Sequence, residues 1–351
     1  MDVYLLSDNY ERIAIIDEFE SFIWTERHSG HGDFELVVPA VKKWKNLIRG
    51  RYLAHDNTRC LMIIEKVIER EDSDGSKKKV VSGRSLESIL MRRTIIPWVG
   101  RTQWLYRSTV GNTAYLLLRN MLMSGGSIDE KDIIPDLYVF NGTSDTEEVE
   151  VVLEIKSLYD AVKELCDTKN FGFGIDLMPS SPRLRLYIYE GVERPNLIFS
   201  SQLDTLTEES RVESDMDYYN IAYVYSNENE RRISTGLRSL NPDLSGVDRR
   251  VISIYASDLK IDEEITLWSR LDAALIQRGR EELAKHPRVK AFDGKLTGLD
   301  PYVFKTHYQL GDVVTLMNDD NETEKVRVSE YIWGIDSEGL RHYPTFEVVN
   351  P

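Results

Sequence analysis

The sequence predicts a mainly β, α+β protein: two β-barrel-like domains around a small α/β insert. Three observations carry this reading. Short β-type runs broken by turn residues fill the first eighty or so residues, a helix followed by a hairpin sits mid-chain, and strand character returns beyond it together with one long helix. A length of 351 residues suits more than one domain, since a domain usually takes roughly 100–200 residues. The expected division is a first β-barrel domain over 1–92, an insert of helices and a helix-hairpin unit over 93–200, and a second β-barrel domain over 201–351 that carries the long helix 263–286.

In the first part, Arg12–Asp17, Ser21–Trp24, Asp33–Val38 and Arg51–His55 read as strands. Leu61–Glu69 and Lys77–Ser82 flank the turn sequence Glu71-Asp72-Ser73-Asp74-Gly75-Ser76, a strong hairpin signal. Ser85 then reads as a helix cap before Leu86, Ile89 and Leu90. Gly111-Asn112 opens a second helix, whose apolar block Tyr115–Met123 ends at Ser124-Gly125-Gly126. The acidic, polar stretch Ser127–Glu150 reads as loop with one strand near Leu137–Phe140. Ser157 caps a third helix with Leu158, Val162, Leu165 and Cys166 on one face. A hairpin follows: Phe171, Phe173, Ile175 and Leu177 alternate, Pro179–Pro182 turn the chain, and Leu184, Leu186 and Ile188 alternate again.

In the last part, Tyr218–Tyr225, Arg231–Leu237 and Arg249–Tyr255 have strand character. Asp262 caps the longest helix, with Glu263 and Glu264 in its first turn and Lys285 and His286 in its last, the arrangement a helix dipole favours. Trp268, Leu271, Leu275 and Leu283 make one apolar face, and Pro287 ends the helix. Strands are then expected at Val289–Phe292, Val313–Met317 after Gly311-Asp312, Lys325–Trp333 after the turn Asn318–Asn321, and near Thr345–Val349.

Composition excludes several functions. Hydrophobic residues at 41% and charged residues at 29% allow packed cores. A net charge of -15 repels phosphate, which argues against nucleic-acid grooves and anionic membrane surfaces. The longest apolar runs, such as Cys60–Ile64 and Ala114–Leu118, are far shorter than the ~20 residues a membrane-spanning helix needs. The N-terminus has no basic segment followed by an apolar core, so it does not read as a secretory signal. Cys60 and Cys166, the two cysteines, sit in apolar patterns and read as buried free thiols of a protein folded in a reducing cytoplasm.

No catalytic, cofactor-binding or metal-binding residues are assigned, and the chain is not expected to be an enzyme. Among six histidines, the sharpest cluster is His28-Ser29-Gly30-His31-Gly32-Asp33. Two histidines and a carboxylate could hold zinc, but the glycines favour a turn between two strands. Asp72-Ser73-Asp74-Gly75 resembles part of a calcium loop yet continues into Lys77–Lys79 instead of further ligands, so a solvated hairpin turn fits better. Ser82-Gly83-Arg84-Ser85 is not a nucleophile elbow, and Gly172 and Gly174 lack the continuation of a phosphate loop. Of 18 tyrosines, Tyr187, Tyr189, Tyr223 and Tyr225 lie in strands, where they serve as core or as an interface or carbohydrate platform.

Three segments in order resemble the tail-hub family of siphophages, often called the siphovirus gene-37-like tail proteins. The first is Ile23-Trp24-Thr25-Glu26-Arg27 through Gly32-Asp33-Phe34-Glu35-Leu36, similar to a W-x-x-R…G-x-G-D-F-E-L signature. The second, Gly83-Arg84-Ser85-Leu86 through Leu90 to Arg93, resembles a G-R-S-L…L…R-R segment. The third joins Gly279–Leu283 to Tyr308-Gln309-Leu310-Gly311-Asp312-Val313, similar to the family's long helix and its Y-x-L-G-D-x-V strand. His31 departs from the proline or small turn residue expected there, which affects loop shape. The motifs also make physical sense: Gly30 and Gly32 permit a tight turn, Phe34 and Leu36 share one strand face with Glu35 on the other, and Gly311-Asp312 turns the chain so that Val313 and Leu316 point inward. Arg84 is placed either to anchor a carboxylate across a domain junction or to stay solvated.

The resemblance implies tail-tube-like barrels in a baseplate-hub-like subunit. It implies a homotrimer ring of pseudo-sixfold symmetry at the virion tail tip, made in the host cytoplasm. The ring would join the distal tail ring protein and the tail tube or tape-measure protein to tip or receptor-binding proteins, with DNA passing only in transit. A negative channel wall would then let DNA slide without sticking. No cofactor is implied. The alternatives are a receptor- or cell-wall-binding tail module and a cell-wall hydrolase; the chain ends at Pro351 just after the last expected strand, which leaves no appended enzyme domain in view.

Overall fold

The computed structural model describes residues 1–71, 75–97, 103–123, 130–178, 183–203, 205–226, 237–259, 268–295, 302–318, 321–337 and 339–349. The first strands are β1 (Val3–Leu6), β2 (Arg12–Ile16), β3 (Ser21–Arg27), β4 (Asp33–Pro39), β5 (Tyr52–His55), β6 (Met62–Glu71) and β7 (Lys77–Ser85). A 3₁₀ segment, Leu86–Arg92, leads to β8 (Trp104–Ser108), α1 (Val110–Leu122), β9 (Leu137–Gly142) and β10 (Val149–Leu153). Then come α2 (Leu158–Asp167), β11 (Gly172–Leu177), β12 (Leu184–Tyr189), β13 (Glu193–Phe199), β14 (Thr207–Ser214), β15 (Ile221–Tyr225), β16 (Leu237–Leu240) and β17 (Val251–Tyr255). The chain closes with α3 (Trp268–Ala284), β18 (Val289–Lys295), β19 (Val313–Met317), β20 (Thr323–Asp336) and β21 (Gly339–Val348).

The protein is mainly β, as the sequence predicts, but the strands pair differently from two separate barrels. One 13-stranded sheet runs β14-β18-β21-β20-β3-β4-β7-β6-β5-β1-β2, with β19 and β13 branching from β20. It therefore takes strands from both ends of the chain, and among the described residues it does not close on itself. The long strand β20 makes the join. Its first half pairs with β19 (Val313↔Arg327 to Met317↔Thr323), its second half pairs with β3 (Glu330↔Arg27 to Ile335↔Phe22), and β21 lies along its other side. Three small sheets complete the fold: β10-β8, β11-β12-β9 and β16-β15-β17.

Two strands missed by periodicity lie between two cores. All four residues of β1 are buried. Tyr4 and Leu6 enter the core of the helical insert, with α1, α2 and β11; Val3 and Leu5 enter the core of the large sheet. A strand covered on both faces shows no apolar-polar alternation. In β10, Val149, Val151 and Leu153 likewise face the insert, while Val152 joins the core beneath α3.

Several expected caps take other roles. Ser85 makes no side-chain cap; its hydroxyl accepts the Gly32 amide at 2.7 Å, and the segment after it is 3₁₀. Thr109 caps α1 by accepting the Asn112 amide, two residues before the expected start at Gly111. Ser157 sits at the N-cap of α2 without a cap bond, its hydroxyl buried. Lys285 and His286 fall just past the end of α3. The expected residues Asp262–Glu264, the turns Asp72–Asp74, Ser124–Gly126 and Pro179–Pro182, and most of the strand expected at Arg231–Leu237 lie outside the described residues.

Candidate functional site

The most elaborated region is the junction where the 28–33 loop meets the insert and the loop before β19. Phe22, Trp24 and Glu26 alternate onto the inner face of β3, and all three are buried. Arg27 then braces its own loop: its guanidinium pairs with Asp33, donates to the His31 carbonyl at 3.1 Å, and pairs with Glu330 of β20 at 2.5 Å. Gly32 lies so close to β3 that a Cβ would sit 2.0 Å from the Thr25 carbonyl oxygen. Phe34 and Leu36 are buried and Glu35 is exposed, as alternation requires.

The two histidines of the cluster turn to different partners. His28 is 4% exposed, with Nδ1 3.1 Å from the Tyr189 hydroxyl and Nε2 3.0 Å from the Asn170 carbonyl oxygen. Burial lowers its pKa to about 4, so it is a neutral joint between β3 and the insert. His31 turns its Nδ1 to the Gly32 carbonyl and packs against Tyr159, and Asp33 is taken by Arg27. Among the described residues, no three His, Cys, Asp or Glu side chains converge as metal ligands.

Gly311 has φ +86°, and a Cβ there would fall 2.4 Å from the His28 ring. Both facts demand glycine. Asp312, fully buried, accepts the Val192 amide at 2.8 Å and the Gln309 amide at 3.1 Å and pairs with Arg194. The Gly311-Asp312 turn thus ties the end of the insert to β19, and Val313 and Leu316 are buried beyond it. Arg84 clamps Glu65 of β6 at 2.7 and 3.0 Å, with Arg92 on the same carboxylate at 2.8 Å. That carboxylate belongs to the same β-part, so Arg84 does not cross a junction through it.

Beside this loop opens a cleft of about 490 Å³, lined by β3, β11, β12, the 3₁₀ start and the 304–310 loop. Its floor comes from cross-strand pairs Gly172↔Tyr189, Gly174↔Tyr187 and Asp176↔Arg185. The two tyrosine rings lie over the glycines, where a Cβ would meet them at 2.4 and 2.9 Å. Arg185 pairs with Asp176 at 2.6 Å, and Lys305 reaches Glu26 at 2.8 Å. Glu26, Glu87, Asp176 and Lys305 are not among the residues the sequence singles out. Glu26 had a readable signal: it shares the inward face of β3 with Trp24. Glu87 had none, because the 3₁₀ turn that buries it was read as helix. Tyr223 and Tyr225 stand elsewhere, on β15, with the Tyr225 and Tyr255 rings stacked at 5.2 Å. Cys60 and Cys166 are free thiols, Cys60 half-buried and Cys166 buried.

The sequence matches the family described as Siphovirus ReqiPepy6 Gp37-like protein over residues 2–346. The chain belongs to this family of phage tail proteins. The tail protein also shares its fold with solved structures at low identity. A tail protein from Neisseria meningitidis MC58 aligns with TM-score 0.62 and 12% identity, covering 99% of this chain and 96% of that one. The 43 kDa tail protein of prophage MuSo2 from Shewanella oneidensis aligns with TM-score 0.62 and 13% identity, covering 99% and 98%. Prophage tail protein gp18 from Listeria monocytogenes EGD-e aligns with TM-score 0.55 and 13% identity, covering 99% and 94%. No curated protein matches the sequence. No described helix is long and apolar enough to cross a membrane.

Proposed function

We propose that this tail protein is a structural hub subunit at the tail tip that assembles into a homotrimer ring around a DNA channel. The observation that carries the reading is family membership across nearly the whole chain, 2–346. In this reading the parts 1–92 and 201–351 act as two tube-like β units per subunit, which gives three subunits a pseudo-sixfold face toward the tail tube and distal tail ring. The insert 93–200 then decorates the periphery or the tip. The role is mechanical and not catalytic.

Two features support a ring. The main run of the sheet has open ends at β2 and β14, with unpaired outer edges among the described residues. Both carry exposed aliphatics: Ile13 and Ile15 on β2, and Val212 on β14. An open edge is a template for pairing with another chain, and a head-to-tail contact closes a ring when its rotation allows. The net charge of -15 fits a wall that DNA passes without sticking.

The test is the mass of the protein in solution, alone and with its distal tail ring protein. A trimer in either condition is expected. A chain that stays monomeric in both, and that is found away from the tip in imaged tails, would sink the hub reading. Charge-reversing substitutions of Asp and Glu on the inner wall of the imaged ring should slow DNA ejection; unchanged ejection would refute the channel-charge idea alone.

A further inference from the structure

The junction cleft contains a buried carboxyl group that the fold leaves without a counter-ion. Glu87 is 5% exposed and lines the cleft. Its Oε1 accepts the Ile175 amide at 2.5 Å, but its Oε2, also buried, has no hydrogen-bond partner. A buried carboxylate oxygen without a partner costs about 1–3 kcal/mol or more, so it calls for a physical explanation. The other carboxylates of the cleft are already matched, while the exposed Arg59 also lines it. Arg185 holds Asp176, Lys305 holds Glu26, Arg27 holds Asp33 and Glu330, and Asp56 accepts the Tyr4 hydroxyl at 2.6 Å. Among the described residues, no cation pairs with Glu87.

The rest of the cleft suits the stem behind a cationic head. Phe173, Ile175, Tyr187, Tyr189 and Phe304 supply apolar and aromatic wall, and ring faces attract cations. A volume of about 490 Å³ lies within the roughly 300–1,000 Å³ usual for ligand pockets. The local field has the right sign as well. The Cys60 thiol and the Tyr189 phenol are pushed up by burial first and then by the negative charge of Glu87 and Glu26. A cationic head would satisfy Oε2 and offset the charge of Glu87 and Glu26.

We propose that the cleft binds an organic cation, an alkylammonium or guanidinium head, with Glu87 as its counter-ion and Tyr187 and Tyr189 along its stem. This chemistry has two sources, a basic side chain of another tail protein or a free polyamine. The proposal does not depend on the ring reading.

The test is titration of the full chain at pH 8 with spermidine and, separately, with an extended acetylated tripeptide amide carrying a central arginine or lysine. Binding is followed by calorimetry and by ring resonances of Tyr187 and Phe304. At least one probe should bind and shift those resonances, and Glu87→Gln should weaken it tenfold or more while Glu35→Gln, at an exposed site, leaves it unchanged. Binding of the peptide alone identifies a protein side chain as the source, and binding of spermidine alone a free polyamine. If neither probe binds, if the ring resonances stay still, or if Glu87→Gln binds as tightly as the parent, the proposal is wrong. The resonance shifts in the unaltered protein decide the matter even if the variant does not fold.

Discussion

The core of the large sheet and the core beneath α3 are built on opposite terms. Among the described residues, the first joins 25 buried side chains from both ends of the chain, from Val3 to Phe346. The second joins eight, where Leu271, Ala274 and Leu275 of α3 lie on Ala222 and Val224 of β15. The large core is apolar and long-range, so no single segment can leave it without the others. Among the described residues the small core joins fewer apolar side chains and is laced by charge. Arg270 reaches buried Glu150 at 2.6 Å, and Arg278 reaches buried Asp258 at 2.7 Å. The difference predicts one cooperative body and one region of lower local stability.

The sharpest way to break this contrast is in the large core. Trp24 is fully buried against His55, Phe22 and Phe34. Trp24→Ala should cost about 3–5 kcal/mol and lower a single urea transition seen by probes at both ends of the chain. Separate transitions for residues 1–92 and 302–349 would show that the shared sheet does not couple them.

A change of the same kind beneath α3 should behave differently. Leu275 is fully buried there. Leu275→Ala should cost about 2–4 kcal/mol locally. Amide exchange of β15 and β17 should speed up while that of β3 and β20 stays near the parent rate. Equal acceleration everywhere would erase the distinction between the two regions.

The smaller effects are those of pH. Burial lowers His28 and His55 to about 4, against about 6.5 for an unfolded histidine. The unfolded chain therefore takes up protons first, and stability falls as pH drops from about 6.5 toward 4. Glu87 has the opposite sign. Burial raises it from 4.5 to about 7, while the Ser85 hydroxyl and the Ile175 amide oppose the rise. Its contribution is full below about 4.5 and is lost as pH rises through about 7. Glu87→Gln should therefore gain about 1–3 kcal/mol relative to the parent between pH 4.5 and 8. A difference that does not grow with pH would mean that Glu87 is ionised in the fold throughout.

The pattern of residues was sufficient for the β-rich class, for the inward faces of β4, β11 and β12, and for the helices from Leu158 and around Leu271. These are local properties: alternation and helical spacing are written into neighbouring residues. Tight glycines at Gly30, Gly32 and Gly311 were legible for the same reason, because positive φ and close approach exclude a side chain. Tertiary structure alone decided that β20 would join β3 to β19, turning two expected β parts into one sheet. Pairing between Arg27 and Glu330 leaves no trace in either local sequence. It also decided that β1 and β10 would lie between two cores, which removes the alternation by which a strand is read. The acidic residues were illegible one by one, since 59 of them look alike in sequence. What distinguishes Glu87 is burial without a partner, and burial is set by whatever the rest of the chain places around it.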